Sequence, residues 1–150
     1  MSGRGTRLLG AALRGASAGL VATAAMGLVM LSSRRLGLVG KLGPEHITEA
    51  GLDAAGLAGN ERAENAASTA AHLTYGAANG ALFALVSHRL SGPPAARGLA
   101  FAGALLLVSY EGWVPAARIL PPLHAHTVGG RWTLITGHAV YGAVLGRLAA

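Results

Sequence analysis

Cysteine is absent from the 150 residues, which excludes a disulfide scaffold and any thiolate-based zinc or redox site. Charge is scarce. Asp, Glu, Lys and Arg make up 12% of the chain, half of the roughly 25% in an average soluble domain. That is too few charges to cover a water-exposed surface. The chain also lacks G-x-S-x-G, H-E-x-x-H and a P-loop, so no hydrolase or nucleotide-binding signature is present. What is abundant is apolar: hydrophobic residues reach 52% and the mean hydropathy is +0.47. Disorder, which needs low hydrophobicity and high charge, is excluded. The composition predicts one integral membrane domain.

The net charge of +6 raises nucleic acid as a partner, and the positions of the charges argue against it. Nucleic-acid binders cluster Lys and Arg on one face. Here 11 of the 12 basic residues are Arg, set singly or as Arg34-Arg35 at the ends of apolar runs. There they flank membrane spans and reach to the headgroups. The partner read from this pattern is the lipid bilayer, with a homo-oligomer left open and no nucleic acid.

Charges divide the chain into uncharged stretches at 15–33, 65–88, 98–117 (interrupted by Glu111) and 132–146. A spanning helix needs about 20 largely apolar residues. The first three qualify. The fourth is short, but Trp132, Tyr141, Arg131 and Arg147 can anchor a thinned or tilted fit. The expected architecture is an all-α, integral membrane four-helix bundle with helices near 12–33, 64–89, 97–119 and 131–148. Residues 34–60 form a membrane-surface loop in which Pro44 can open a short helix. Asn60 caps the second span, whose first turn holds Glu61 and Glu64. The third span is expected to kink at Pro115. The spans are rich in Gly and Ala, poor core material in water but suited to close helix approach in lipid.

The N-terminus, with Arg4, Arg7, Arg14 and an A-x-A at Ala22-Thr23-Ala24, also fits a cleaved signal or presequence. Arg14 breaks the apolar region and the run continues past Ala24, so a retained span is the reading taken. Six basic residues fall on each side of the four-span topology, and the positive-inside count ties. The orientation taken places both termini in the cytoplasm.

The most informative feature is a repeat. Residues 72–80 and 138–146 both read H-x-x-Y-G-A-x-x-G, 66 residues apart. A weaker echo, Arg14-Gly15 and Arg97-Gly98, opens the first and third spans. Together they predict two helical hairpins duplicated in the same orientation, a known membrane architecture. His72, Gly76 and Gly80 form one stripe of a helix, as do His138, Gly142 and Gly146. Each stripe carries G-x-x-x-G, so Gly76, Gly80, Gly142 and Gly146 are helix-packing residues. They serve a crossing of the even helices on each other or of each on its hairpin partner.

Counting 1.5 Å per residue places His72, His138 and Glu111 each about 10 Å inside the same face. Ionisable groups within spans face the interior and are functional candidates. The candidate site is therefore His72, Glu111 and His138, with Tyr75 and Tyr141 from the repeat, and Glu111 is expected to face one or both imidazoles. Three uses compete. Glu111 can simply accept hydrogen bonds from a His, a Tyr or Arg118. The three groups can form a proton or ion path. They can hold a divalent metal, or the two His can ligate haem. No cofactor is predicted outright. His124 and His126 are read as a solvated loop pair, and Met26 and Met30 as packing residues.

The segments Gly19-Leu-Val-Ala-Thr-Ala-Ala-Met26, Arg34-Arg35-Leu-Gly37 and Gly43-Pro44-Glu45-His-Ile-Thr48, with the H-x-x-Y-G repeat, resemble the YagU-like small bacterial inner-membrane proteins. The resemblance implies a four-span bacterial inner-membrane protein. It brings no activity, ligand or site residue.

Overall fold

The computed structural model describes residues 3–57 and 59–149, and every regular element among them is helical. The long elements are α1 (Gly3–Arg35), α2 (Gly43–Ala54), α3 (Glu61–Val86), α4 (Pro94–Leu107) and α5 (Val128–Ala149). The all-α expectation holds. Two helices are long and apolar enough to cross a membrane: Gly3–Arg35 and Pro94–Ala116, the latter being α4 with its continuation.

The ends of the elements follow local chemistry. α1 begins nine residues before the expected start near 12, because Arg7 and Arg14 can end a membrane segment without ending a helix, where arginine is well tolerated. Asn60 caps α3, its side chain accepting the Ala63 N–H at 3.0 Å. Gly43-Pro44 opens α2, and the Glu45 carboxylate reaches back to the Leu42 N–H at 2.8 Å. Gly56, at φ 67°, turns the chain away soon after, so α2 stops short of Leu57.

α4 departs from the expected single helix. After Leu107 it widens into a π-helical turn, Val108–Trp113, with Gly112 at φ −113°, ψ −108°, before a last α turn Val114–Ala116. The break therefore precedes Pro115 rather than sitting on it. A proline ring clashes with the carbonyl four residues back, here that of Glu111, and donates no hydrogen bond to it. The turn before Pro115 opens to relieve both.

α1 packs antiparallel on α3, α4 packs antiparallel on α5, and α1 also lies along α5, joining the two pairs. Both antiparallel crossings are made by glycine. A Cβ placed on Gly80 would stand 2.7 Å from Gly19 Cα and also strike the Gly15 carbonyl oxygen. One placed on Gly142 would stand 2.7 Å from the Ala102 Cβ, and one on Gly98 2.8 Å from Gly146 Cα. Each G-x-x-x-G thus meets the small residues of its own hairpin partner, the second of the two expected arrangements. Phe83 and Phe101 meet edge to face, with centroids 5.3 Å apart, and bring α3 to α4.

The interior is small-residue, and the large apolar side chains point outward. Among the described residues only Phe83, Leu145 and Val114 are large and fully buried, whereas Leu28, Leu82 and Trp132 on α1, α3 and α5 and Val108 of the π-helical turn are exposed. α2 is half-buried against α3. It is held by two ion pairs, Arg34–Glu45 at 2.8 Å and Lys41–Glu49.

Gly80→Val and Gly98→Val should each lower stability by about 1–3 kcal/mol, the usual cost of overpacking. Gly103→Ala, where an added Cβ meets nothing within 4 Å, should not. Unfolding midpoints in detergent check this. The Lys41 ammonium holds the Glu49 carboxyl below its ordinary range, chiefly by hydrogen bonding, and Glu49 raises Lys41 in return. A lowered carboxyl pKa stabilises above the unfolded value and loses that contribution as pH falls through the folded one. A raised lysine pKa does so below the unfolded value and loses it as pH climbs through the folded one. Amide protection in α2, the exchange rate relative to its intrinsic value at each pH, should therefore be greatest between these limits and fall both in acid and above the ordinary lysine range. Glu49→Gln should remove the dependence on this pair.

Candidate functional site

His72, Tyr75, His138 and Tyr141, drawn from the two copies of the sequence repeat, all line one internal chamber of about 70 Å³. Gly76 lines it too. So do Thr23, Met26 and Met30 of α1, Pro44 of α2, Leu105 of α4, and Tyr110 of the π-helical turn. All three tyrosines of the chain meet there.

The chamber is built by hydrogen bonds that only this packing supplies. The Tyr141 hydroxyl donates to the Gly76 carbonyl at 2.9 Å, so the tyrosine of one motif copy ties down the glycine of the other. That carbonyl is reachable because Gly76 has no side chain to cover it. Met26 lies against Gly137 of α5, whose added Cβ would stand 3.3 Å from Met26 Cγ. His138 Nδ1 lies 2.8 Å from the Leu134 carbonyl. A carbonyl oxygen only accepts, so Nδ1 carries the proton, and Nε2 of the neutral ring keeps its lone pair. Among the described residues His72 has no hydrogen-bond partner. Tyr75 OH lies 3.5 Å from Ser109 Oγ.

Glu111 is not part of this chamber, and its expected position is corrected. Its carboxylate accepts from the His124 backbone N–H at 3.4 Å and stands 3.2 Å from His124 Nδ1, with 37% of the side chain exposed. The depth count from Arg118 fails because the helix ends at Ala116 and Arg118 sits at φ 58°. Opening of the helix before Pro115 turns Glu111 to the third loop and its neighbour Tyr110 to the interior. Tyr110 is 6% exposed and stands edge-on to both His138 and His126, with centroids 6.3 and 5.8 Å apart. His124 pairs with Glu111 from a loop position where its side chain is 74% exposed, as the solvated-loop reading expects, and His126 donates from Nε2 to the Pro121 carbonyl at 3.0 Å.

The metal and haem expectations change accordingly. Among the described residues no three His, Asp or Glu side chains gather to hold a metal, so His72, His138 and Glu111 are not a divalent site. A chamber of about 70 Å³ has room for an ion or a few waters, each needing roughly 10–15 Å³ of such space. It does not hold a porphyrin between the two imidazoles. Gly80, Gly142 and Gly146 stay with the helix crossings. Tyr110 lines the chamber although the sequence did not single it out, and Met26 and Met30 line it as buried packing residues, as expected. The Gly112 and Pro115 that reorient Tyr110 were the signal available for it.

A second, larger cavity of about 280 Å³ adjoins the chamber, sharing Met30 and Tyr110 with it. It is lined by the segment before α2 and by the third loop, including Lys41, His46 and His126.

Tyr141→Phe should lower stability by about 1 kcal/mol, one buried hydrogen bond. Glu111→Gln should lower it by less than about 1 kcal/mol, since its partner is a solvent-facing loop histidine. Detergent unfolding midpoints measure both, and their order reverses the one expected from an interior Glu111.

Comparison with curated proteins finds no match, and neither does comparison with solved structures. The profile of a family of unknown function, DUF6789, matches residues 9–150 and so takes in α2 to α5, most of α1 and every residue of the chamber. The chain belongs to the DUF6789 family, whose function is unknown.

Proposed function

We propose that this protein is a non-enzymatic membrane protein of the bacterial inner membrane. In this reading α1, α3, α4 with its continuation, and α5 form a four-span, transport-type bundle of two duplicated hairpins. The chamber of His72, His138 and the three tyrosines is its working part, and both termini lie in the cytoplasm.

The observation that carries the membrane reading is how the exposed polar side chains are satisfied. Ser17, Ser32, Thr69 and Thr74 each donate to the carbonyl four residues back, at 2.7–3.1 Å. The exposed Asn79 amide does the same to Tyr75 at 2.9 Å. In water such groups have solvent as a partner. In hydrocarbon every polar group must find one within the protein. α3 and α5 fall outside the two helices that qualify on hydropathy alone. They still expose Leu82, Leu85, Trp132 and Ile135, and the charges of α3 lie in its first turn.

The duplicated-hairpin reading is supported by the matching crossings. Gly15 and Gly19 meet Gly76 and Gly80 in one pair, while Gly98 and Ala102 meet Gly142 and Gly146 in the other. A transport role is favoured over a purely structural one by the chamber itself. A bundle that only packed would fill the space between two within-span imidazoles. Here that space remains and adjoins a larger cavity that leads toward the loops.

Labelling of single-cysteine variants with a membrane-impermeant maleimide tests the topology. Asp53→Cys and His126→Cys should label from one side of inverted or right-side-out vesicles, and Ser91→Cys from the other. Labelling of all three from one side, or solubility without detergent, overturns the reading.

A further inference from the structure

We propose that the chamber is a binding site for a soft monovalent metal ion of the Cu(I) or Ag(I) class, held by the thioethers of Met26 and Met30 and the imidazoles of His72 and His138. The proposal rests on the chamber being the working part of the protein. It deepens that reading by naming the class of ligand.

The donor set decides the class. The four side chains face one chamber of about 70 Å³, where no carboxylate, lysine or arginine is present. Hard cations need oxygen ligands and negative charge, and zinc is held by His, Cys or carboxylate in sets of three or four. Among the described residues no such set exists. Thioether and imidazole together select Cu(I). Charge points the same way. The desolvation cost of an ion grows with the square of its charge, so a chamber without a counter-ion tolerates one positive charge far better than two.

Packing prepares three of the four donors. Met26 and Met30 are one turn apart on α1, 6% and 3% exposed, so both thioethers project from one face of a rigid helix. The His138 Nδ1 proton is held by the Leu134 carbonyl at 2.8 Å, the outer-sphere hydrogen bond that fixes the tautomer of a metal-binding histidine and leaves Nε2 to bind. His72 has no described protein partner to compete for its lone pair. Apart from Met1, these are all the methionines in the chain.

An approach route uses the same chemistry. The adjoining cavity carries His46 and His126 and shares Met30 with the chamber. Four of the six histidines and both helix methionines therefore line two neighbouring cavities that share Met30 and Tyr110.

The test uses the full chain purified in detergent. Ag(I), which needs no reductant, is titrated alone. Cu(I), kept reduced by ascorbate, is titrated against a chromophoric Cu(I) chelator. The expected result is one tight equivalent per chain, with sulfur and nitrogen neighbours in the X-ray absorption spectrum of the Cu(I) form. The volume-conserving pair Met26→Leu and Met30→Leu, together, should weaken binding by about tenfold or more. The double variant His88→Asn, His124→Asn, at histidines that line neither cavity, should keep the equivalent. Leucine variants that bind like the wild type, loss of the equivalent in the double histidine variant, or a spectrum with only nitrogen and oxygen neighbours would overturn the proposal. Because the spectrum is read on the unaltered protein, a variant that fails to fold leaves the proposal exposed. Sidedness of labelling is read separately on the metal-free protein. Correct topology without Ag(I) or Cu(I) binding therefore rejects the ion and keeps the transport-type bundle.

Discussion

Backbone-to-backbone approach at glycine is the constraint on which the rest of the structure depends. α1 and α3 touch where Gly15 and Gly19 face Gly76 and Gly80, and α4 and α5 touch where Gly98 and Ala102 face Gly142 and Gly146. With no Cβ between them, main-chain atoms make the contacts, and dispersion between closely packed backbones replaces the large buried side chains that a water-soluble bundle uses. Bulky residues are then free to face outward, as Leu28, Leu82, Val108 and Trp132 do. The close crossings also set the registers of the helices, so that the residue one turn before each G-x-x-x-G, His72 or His138, comes to the same end of its pair.

The interior chamber follows from those registers plus one break. Above the glycine crossings the helices carry full-sized side chains, and the space between them opens. Thr23 still closes on Gly76. Beyond it Met26 and Met30 of α1 and the two imidazoles border the gap. The break in α4 before Pro115 brings in Tyr110, and α2 closes the same end with Gly43 against the Tyr110 ring. A chamber assembled from these elements has mostly apolar walls, a few polar groups and no formal charge, which limits what it can hold to small neutral groups, protons or a singly charged ion.

The two copies of H-x-x-Y-G-A-x-x-G are not used alike. Tyr141 is 3% exposed and anchors Gly76 of the other copy, while Tyr75 is 43% exposed and turns toward Ser109. His138 is fixed by its own helix, and His72 is not. The difference follows from α1, which lies along both α3 and α5 and covers α5 on a second side, whereas α3 keeps one face outward. Similar local sequence thus yields one imidazole fixed by a hydrogen bond and one without a described partner, both lining the same chamber.

The sequence by itself determined the helical class, the start of α3 at Asn60, the close approach of the four repeat glycines, and the placing of His72, Tyr75, His138 and Tyr141 at matching positions of two helices. These depend on local quantities: hydrophobic run length, capping chemistry, and the spacing of residues on one face of a helix. Tertiary structure decided the rest. Glu111 left the site, because its depth was counted along a helix that does not continue past Ala116. Tyr110 entered it for the same reason, as a π-helical turn changes the direction of every side chain it contains. Met26 and Met30 are packing residues, as helical spacing alone suggested, but that they pack against Gly137 of α5 and border the chamber is decided by the crossing of α1 with α5. Helical periodicity states which residues share a face, but which neighbour that face meets depends on the packing of segments more than 100 residues apart in the chain.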